Sequence, residues 1–506
     1  MTCHTGTALV LLLSLCGMPA AGAAAAASGA TLDASTVEAS PANAAFLAEV
    51  GAALQQSDAG DSLGAAITLD RLLVDPRMAQ LEVAQRSDVW ASAAMVSGAQ
   101  KQDDIALQRL QQALAINPHN AYARLRLAWT QMVDGTPENA ADNVILALAD
   151  GEGQPDMSAE MVWQLDTDLK HLPAKRLSVL QGLFDREWKI DGIEPVELWS
   201  ILAILQVEAG QTDKVAATLE RIDAPIPLVR LRADKRFDRF LRRDDPRYDP
   251  VAAARRHIDR LRVDTMLSPG VNETAVELTS ALMVAGELQE VVGMTAPIAE
   301  AAAAARSAPP EMARHIAWML DTRSRAYRRL GKADDAVGAQ LLAIRMADPE
   351  GDTVSQRLNL ANLYAALHRP SMARETMQGL DNMSTYGRST KAVIELQAAL
   401  QLDDAAAASR AREQLFASRV ETPGHYREAL LLEDRMDEAA AGLIAQLQDP
   451  MDRSAALLEL QDTRDAPPLP EEVLLTARWK QLKQRADVQA AVRRVGRIES
   501  YPLFTF

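Results

Sequence analysis

The feature that most constrains this chain is a helical pattern that returns after 34 residues. One instance starts at Ser87, "SDVWASAAMVSGAQKQDDIALQRLQQALAINPHN", and the next follows without a gap at Ala121, "AYARLRLAWTQMVDGTPENAADNVILALADGEGQ". A period of this length belongs to an array of stacked helix pairs, because one pair cannot bury its apolar face alone. At 506 residues the chain exceeds one ordinary compact domain. An array of this kind spreads its apolar burial over a row of small cores between neighbours. Aromatic residues make up only 4%, and alanine is abundant. That composition suits closely packed helices and not a sheet, which needs β-branched and aromatic side chains.

Further copies fix a register. From Ser87 the pattern offers Trp90, Ala93-Ala94, Ala106, Leu110, Ala113 and Pro118. From Ala121 it offers Leu127-Ala128, Gly135, Ala140, Val144 and Ala147. From Val196 come Trp199, Leu202-Ala203, Gly210, Leu219 and Ile222; from Ala317 come Tyr327, Leu330-Gly331, Ala336 and Ala343. From Val354 come Leu360-Ala361, Tyr364, Leu367, Ala373, Met377 and Leu380, and weaker copies begin near Leu47, Asn272 and Glu421. These residues at these offsets resemble the tetratricopeptide repeat (TPR) family. The resemblance implies an all-α solenoid of stacked antiparallel helix pairs, a TPR-like superhelix. In it the small residues sit where two helices cross. A glycine supplies the positive φ that ends the first helix, and a proline stops the second.

The register is interrupted at residues 155–195, 230–271 and 388–420, and "GDT" lengthens one spacing, so the array is expected to be irregular. The expected layout is a signal peptide over 1–23, a flexible leader over 24–45, an N-terminal array over 46–229 and a basic helical junction over 230–271. A C-terminal array follows over 272–466. Pro467, Pro468 and Pro470 then introduce a helical cap over 467–506, ending in an aromatic tail that docks on the cap helix.

The first residues read as a secretory signal: the apolar stretch "ALVLLLSLCGM" (Ala8 to Met18) precedes the small-residue run "PAAGAAAAASGA", although no Lys or Arg stands ahead of it. The stretch is too short for a permanent membrane helix. Both cysteines, Cys3 and Cys16, lie inside it, so a mature chain would carry no disulfide and no thiolate metal site. "LSLCG" around Cys16 resembles a lipobox with an ill-fitting Leu15, which makes an outer-membrane lipoprotein the weaker alternative to a periplasmic or secreted protein. No other segment is apolar enough to span a bilayer.

The net charge of −16 argues against a general nucleic-acid binder, which needs a basic face. The exception is local. Val229 to Arg262 interleaves Phe237, Phe240 and Tyr248 with arginines, which reads either as an anion-binding patch or as a linker helix pair with Arg/Asp pairs on its solvated face. No HExxH, GxSxG or GxxxxGK[ST] motif occurs, and the seven histidines stand singly. The expectation is therefore a non-enzymatic chain with no cofactor and a protein or peptide partner.

In the family that the repeats resemble, the first helix of each pair lines a concave groove. That resemblance puts Trp318, Asp321, Arg325, Arg328 and Arg329 in the groove of one repeat and Asn362 in the next. This basic set implies a seat for a carboxylate or other anion, since arginine pairs with carboxylates bidentately. The repeat from Ala121 puts Tyr122, Leu125, Trp129, Met132 and Val133 at the same positions, an apolar groove for an amphipathic helix or extended peptide. The function these observations imply is a protein-interaction scaffold of the bacterial cell envelope. The alternative is a dedicated adaptor of a separately encoded envelope enzyme or of a secretion or assembly machine.

Overall fold

Alanine at the crossing points sets how closely the helices approach. The residues assigned to those points, Ala94, Ala128, Ala140, Ala203, Ala336, Ala361 and Ala373, are all buried. A larger side chain there would force the pair apart. The computed structural model of the chain describes residues 41–190, 192–347, 353–381 and 383–505. The signal segment, most of the expected leader and both cysteines lie outside them. Among the described residues the regular structure is helical, with β-pairing only as isolated bridges such as Asp234 with Gly496. The chain forms two compact units that divide after Ile190.

The first unit contains α1 (Pro41–Asp58), α2 (Ser62–Leu73), α3 (Val83–Ala99), α4 (Asp103–Ile116), α5 (Ala121–Val133), α6 (Pro137–Asp150), α7 (Ala159–Asp168) and α8 (Pro173–Asp185). Helix starts follow local chemistry. Asn120 accepts a 2.9 Å hydrogen bond from the Ala123 N–H to cap α5. Pro137 and Pro173 occupy the first turns of α6 and α8, where a missing N–H costs nothing. Neighbours run antiparallel: Ser87 at the start of α3 bonds Ala113 near the end of α4, and Ser97 at the far end of α3 bonds Arg109. The first described helix starts at Pro41, so residues 41–45 of the expected leader are helical. Phe46, Val50 and Ala53 recur at helical spacing and pack on α2 and α3.

The second unit contains α9 (Val196–Glu208), α10 (Thr212–Glu220), α11 (Pro225–Ala233), α12 (Pro250–Leu267), α13 (Glu273–Ala285), α14 (Leu288–Met294), α15 (Ala296–Ala304), α16 (Pro310–Arg329), α17 (Ala333–Met346), α18 (Val354–Ala366), α19 (Pro370–Thr376), α20 (Thr385–Gln401), α21 (Ala405–Ala417), α22 (Pro423–Leu432), α23 (Met436–Gln448), α24 (Arg453–Glu459), α25 (Glu472–Gln484) and α26 (Ala486–Val495). The helices pair mostly in sequence order, as an α-solenoid requires. The segments that left the register are still helical: α20 pairs with α21, and α7 and α8 both pack on α6. Where Gly210 and Gly331 turn the chain with φ +71° and +75°, His368, Asp403 and Asp434 do the same without glycine. At Asp403 that substitution hid the turn in the sequence.

The expected junction at 230–271 is not a linker between halves; it lies wholly inside the second unit. Its arginines explain why. Arg236 bonds the Pro450 carbonyl, Arg243 pairs with Glu499, and Arg497 pairs with Asp238. Arg256 and Arg260 share Asp223. α11 packs against α24, so this unit closes on itself. α25 and α26 cap the last pairs through Trp479, Leu482, Val488 and Val492. The aromatic tail does not dock on these cap helices. It crosses to α13 and α16, because the apolar seat for Phe504 lies there.

Candidate functional site

Two faces carry the residues that the repeat pattern places in grooves. The first is the C-terminal half of α16, with α18 beside it. Asp321 is almost wholly buried. It accepts 2.8 Å hydrogen bonds from Gln340 of α17 and Asn359 of α18, and Arg325 pairs with it at 2.9 Å. The asparagine that joins this cluster is thus Asn359; Asn362 lies one turn further on, half-buried on α18. Arg328 pairs with Glu472 of α25 and donates to the Pro467 carbonyl at 3.2 Å.

Arg329 is buried. It donates to the Met283 carbonyl at 3.2 Å and the Thr505 carbonyl at 3.0 Å, and its guanidinium stacks 4.5 Å from the centre of the Phe504 ring. Burial, with repulsion from Arg325 and Arg328, pulls its pKa down to about 9, so it keeps its charge at neutral pH. The three arginines are therefore brought together, but not as an open basic rim. Each is spent on a contact inside the chain. The segment 467–505, expected as a cap, takes up Arg328 and Arg329, and Arg325 is held by Asp321 of its own helix. The repeat register located the arginines; it held no signal that a segment over a hundred residues away would reach them.

The second face is on α5. Tyr122, Arg126, Trp129 and Val133 recur at helical spacing and share one side of the helix. The Tyr122 hydroxyl donates to the Met95 sulfur at 3.2 Å, and the Arg126 guanidinium lies 4.9 Å from the Tyr122 ring centre. Arg126 also pairs with Asp156 at 2.7 Å. Burial raises the Tyr122 pKa, so the phenol stays protonated. Tyr122 and Trp129 are half-buried, and Val133 is 71% exposed. Leu125, expected beside them, instead turns into the interior, where it is buried. Arg126 was missed because it does not stand at any of the positions that the resemblance puts in the groove.

Among the described residues no group of three or more His, Cys, Asp or Glu could hold a metal ion. No helix among them is long and apolar enough to cross a membrane.

No family profile and no curated relative matches the sequence. Among solved structures, the chain aligns with the P58(IPK) TPR domain at 12% identity and a TM-score of 0.22, covering 80% of this chain and 100% of that one. It aligns with the APC/C hetero-tetramer Cut9–Hcn1 at 12% identity and a TM-score of 0.26, covering 89% of this chain and 96% of that one. The TPR-like character of the fold rests on the helix pairing and the buried alanines described above.

Proposed function

We propose that this chain is a non-enzymatic protein-binding scaffold of the bacterial cell envelope, periplasmic or secreted, and that it holds a partner on the α5 face. The observation that carries the reading is the state of Trp129 and Val133. Both are part of an apolar stripe that remains accessible on its own unit, whereas the arginines of α16 are taken up by the chain itself. An amphipathic helix or extended segment of a partner would bury that stripe, and Arg126 beside it supplies a polar rim. Support for the envelope is the apolar run Ala8 to Met18 with its small-residue sequel.

The test is affinity capture from an envelope extract, comparing the parent with a Trp129→Glu, Val133→Lys variant whose circular dichroism is unchanged. A partner kept by the parent and lost by the variant supports the reading. A partner kept by both places binding elsewhere, and no partner at all removes the scaffold proposal. The N-terminal residue of the protein recovered from cells tests export separately: a chain beginning near Ala23 supports it, and one beginning at Met1 opposes it.

A further inference from the structure

The fold uses only part of the charge in the basic stretch Val229 to Arg262. Residues 235–243 hold five cations against one acid, Asp238, and residues 493–497 at the end of α26 hold three more with no acid. The fold lays these two stretches side by side. The Arg497 N–H donates to the Ala233 carbonyl at 3.0 Å, and Lys235 donates to the Arg493 carbonyl. Arg497 pairs with Asp238 at 2.5 Å, and Arg243 pairs with Glu499. On a chain of net charge −16 the result is a local patch of the opposite sign.

The cations of this patch fall into two groups. Arg236, Arg243 and Arg497 brace the closure, and Arg242 pairs with Asp244. Lys235, Arg239, Arg493 and Arg494 are exposed. Among the described residues none of them has a carboxylate at ion-pair distance: Lys235 meets a carbonyl, and Arg239 lies 4.6 Å from the centre of the Phe240 ring. Cations gathered without counter-charges attract an anion from solution and steer its approach.

The surface itself indicates which anion suits it. Its arginines take carboxylates fork to fork: Arg497 donates to the two oxygens of Asp238 at 2.6 and 2.5 Å. A lipid surface would be gripped better by a free apolar side chain, and a nucleic acid strand by a free ring for its bases. Neither is on offer in the stretch 235–243, since Phe237 is buried and Arg239 lies over Phe240.

We propose that the surface formed by residues 235–243 and 493–497 docks an acidic segment of a protein partner. Asp and Glu side chains of that segment pair with Lys235, Arg239, Arg493 and Arg494, as arginine clusters pair with acidic motifs elsewhere. The surface belongs to the second unit and stands independently of the α5 reading.

The probe is a fluorescein-labelled decapeptide of alternating Asp and Glu, followed by anisotropy with the full chain at about 0.02 M and about 0.15 M salt. The test variant carries Arg239→Gln, Arg493→Gln and Arg494→Gln. None of these side chains has an ion pair in the fold, so its circular dichroism and thermal unfolding should match the parent's. The control variant carries Lys101→Gln, Arg306→Gln and Arg410→Gln, which remove the same charge elsewhere. The expected result is binding at low salt that weakens as salt rises, that falls at least about tenfold in the test variant, and that stays within about twofold in the control. No binding at low salt, or equal loss in both variants, overturns the proposal. Tighter binding to phosphatidylglycerol vesicles or to an oligothymidylate than to the peptide also overturns it, by assigning the patch to another class of anion. Trp129 lies in the other unit, so the α5 reading and this one fail separately.

Discussion

Arg329 donates a 3.0 Å hydrogen bond to the carbonyl of Thr505, 176 residues further along the chain. That contact ties the end of α16 to the tail, and the bridge between Asp234 and Gly496 ties the end of α11 to the residue after α26. An array of helix pairs normally exposes a cap at each end. Here the second unit joins its early and late helices, so the segment after α24 serves as an internal brace as well as a cap.

Phe504→Ala removes a buried ring from the seat on α13 and α16 together with its contact to Arg329. Removing a buried phenylalanine costs about 3–5 kcal/mol. Urea unfolding should show that loss in the transition of the second unit and leave the first unit's transition in place.

His425 makes the second unit sensitive to acid. It is buried against Tyr386, 3.0 Å from the Thr390 hydroxyl, and burial with repulsion from Arg427 lowers its pKa from 6.5 to about 4. Between those values the unfolded chain takes up a proton that the folded chain refuses. Stability therefore declines as pH falls from 6.5 to 4, by about 3 kcal/mol, and is unaffected by this group above that window. His425→Gln should flatten the decline by that amount in unfolding curves taken at pH 7.5, 5.5 and 4.

The first unit contains a buried ion pair in which Arg176 donates two 2.7 Å hydrogen bonds to the two oxygens of Asp166. Asp166→Ala alone leaves a buried cation and should cost about 3–5 kcal/mol. The double change Asp166→Leu, Arg176→Met removes both charges and should cost far less than the single one. Thermal denaturation of the two variants beside the parent checks the order.

Asp234 is fully buried and accepts hydrogen bonds from Arg236 and from the Ser454 hydroxyl at 2.8 Å. Asp234→Ala should cost about 3–5 kcal/mol, because Arg236 loses its principal partner inside the closure. Calorimetry of that variant should show a lowered second-unit transition, whereas Asp244→Ala, on the exposed Arg242 pair, should leave it nearly in place.

The helix pairs were legible wherever a small residue marks a crossing, as at Ala128 with Ala140 or Ala361 with Ala373. They were illegible at α20 and α21, where Asp403 makes the turn that a glycine makes elsewhere. The basic stretch around Arg236 was ambiguous for a physical reason. Its arginines are paired with Glu499, Asp223 and Glu208, whose positions in the sequence give no sign of proximity. The same holds at the candidate site. Helical spacing put Arg325, Arg328 and Arg329 on one helix and Tyr122 and Trp129 on another. It could not show that Glu472 and Thr505 already occupy two of those arginines, since that depends on where an array turns back on itself.

The most direct measurement of the closure is amide hydrogen exchange of the full chain, followed by mass spectrometry of the fragment spanning residues 497–505. The account predicts that the amides of Tyr501 and Phe504, bonded to Asp462 and Val284, exchange far more slowly than in the free peptide of the same sequence. Exchange as fast as in the free peptide would contradict it.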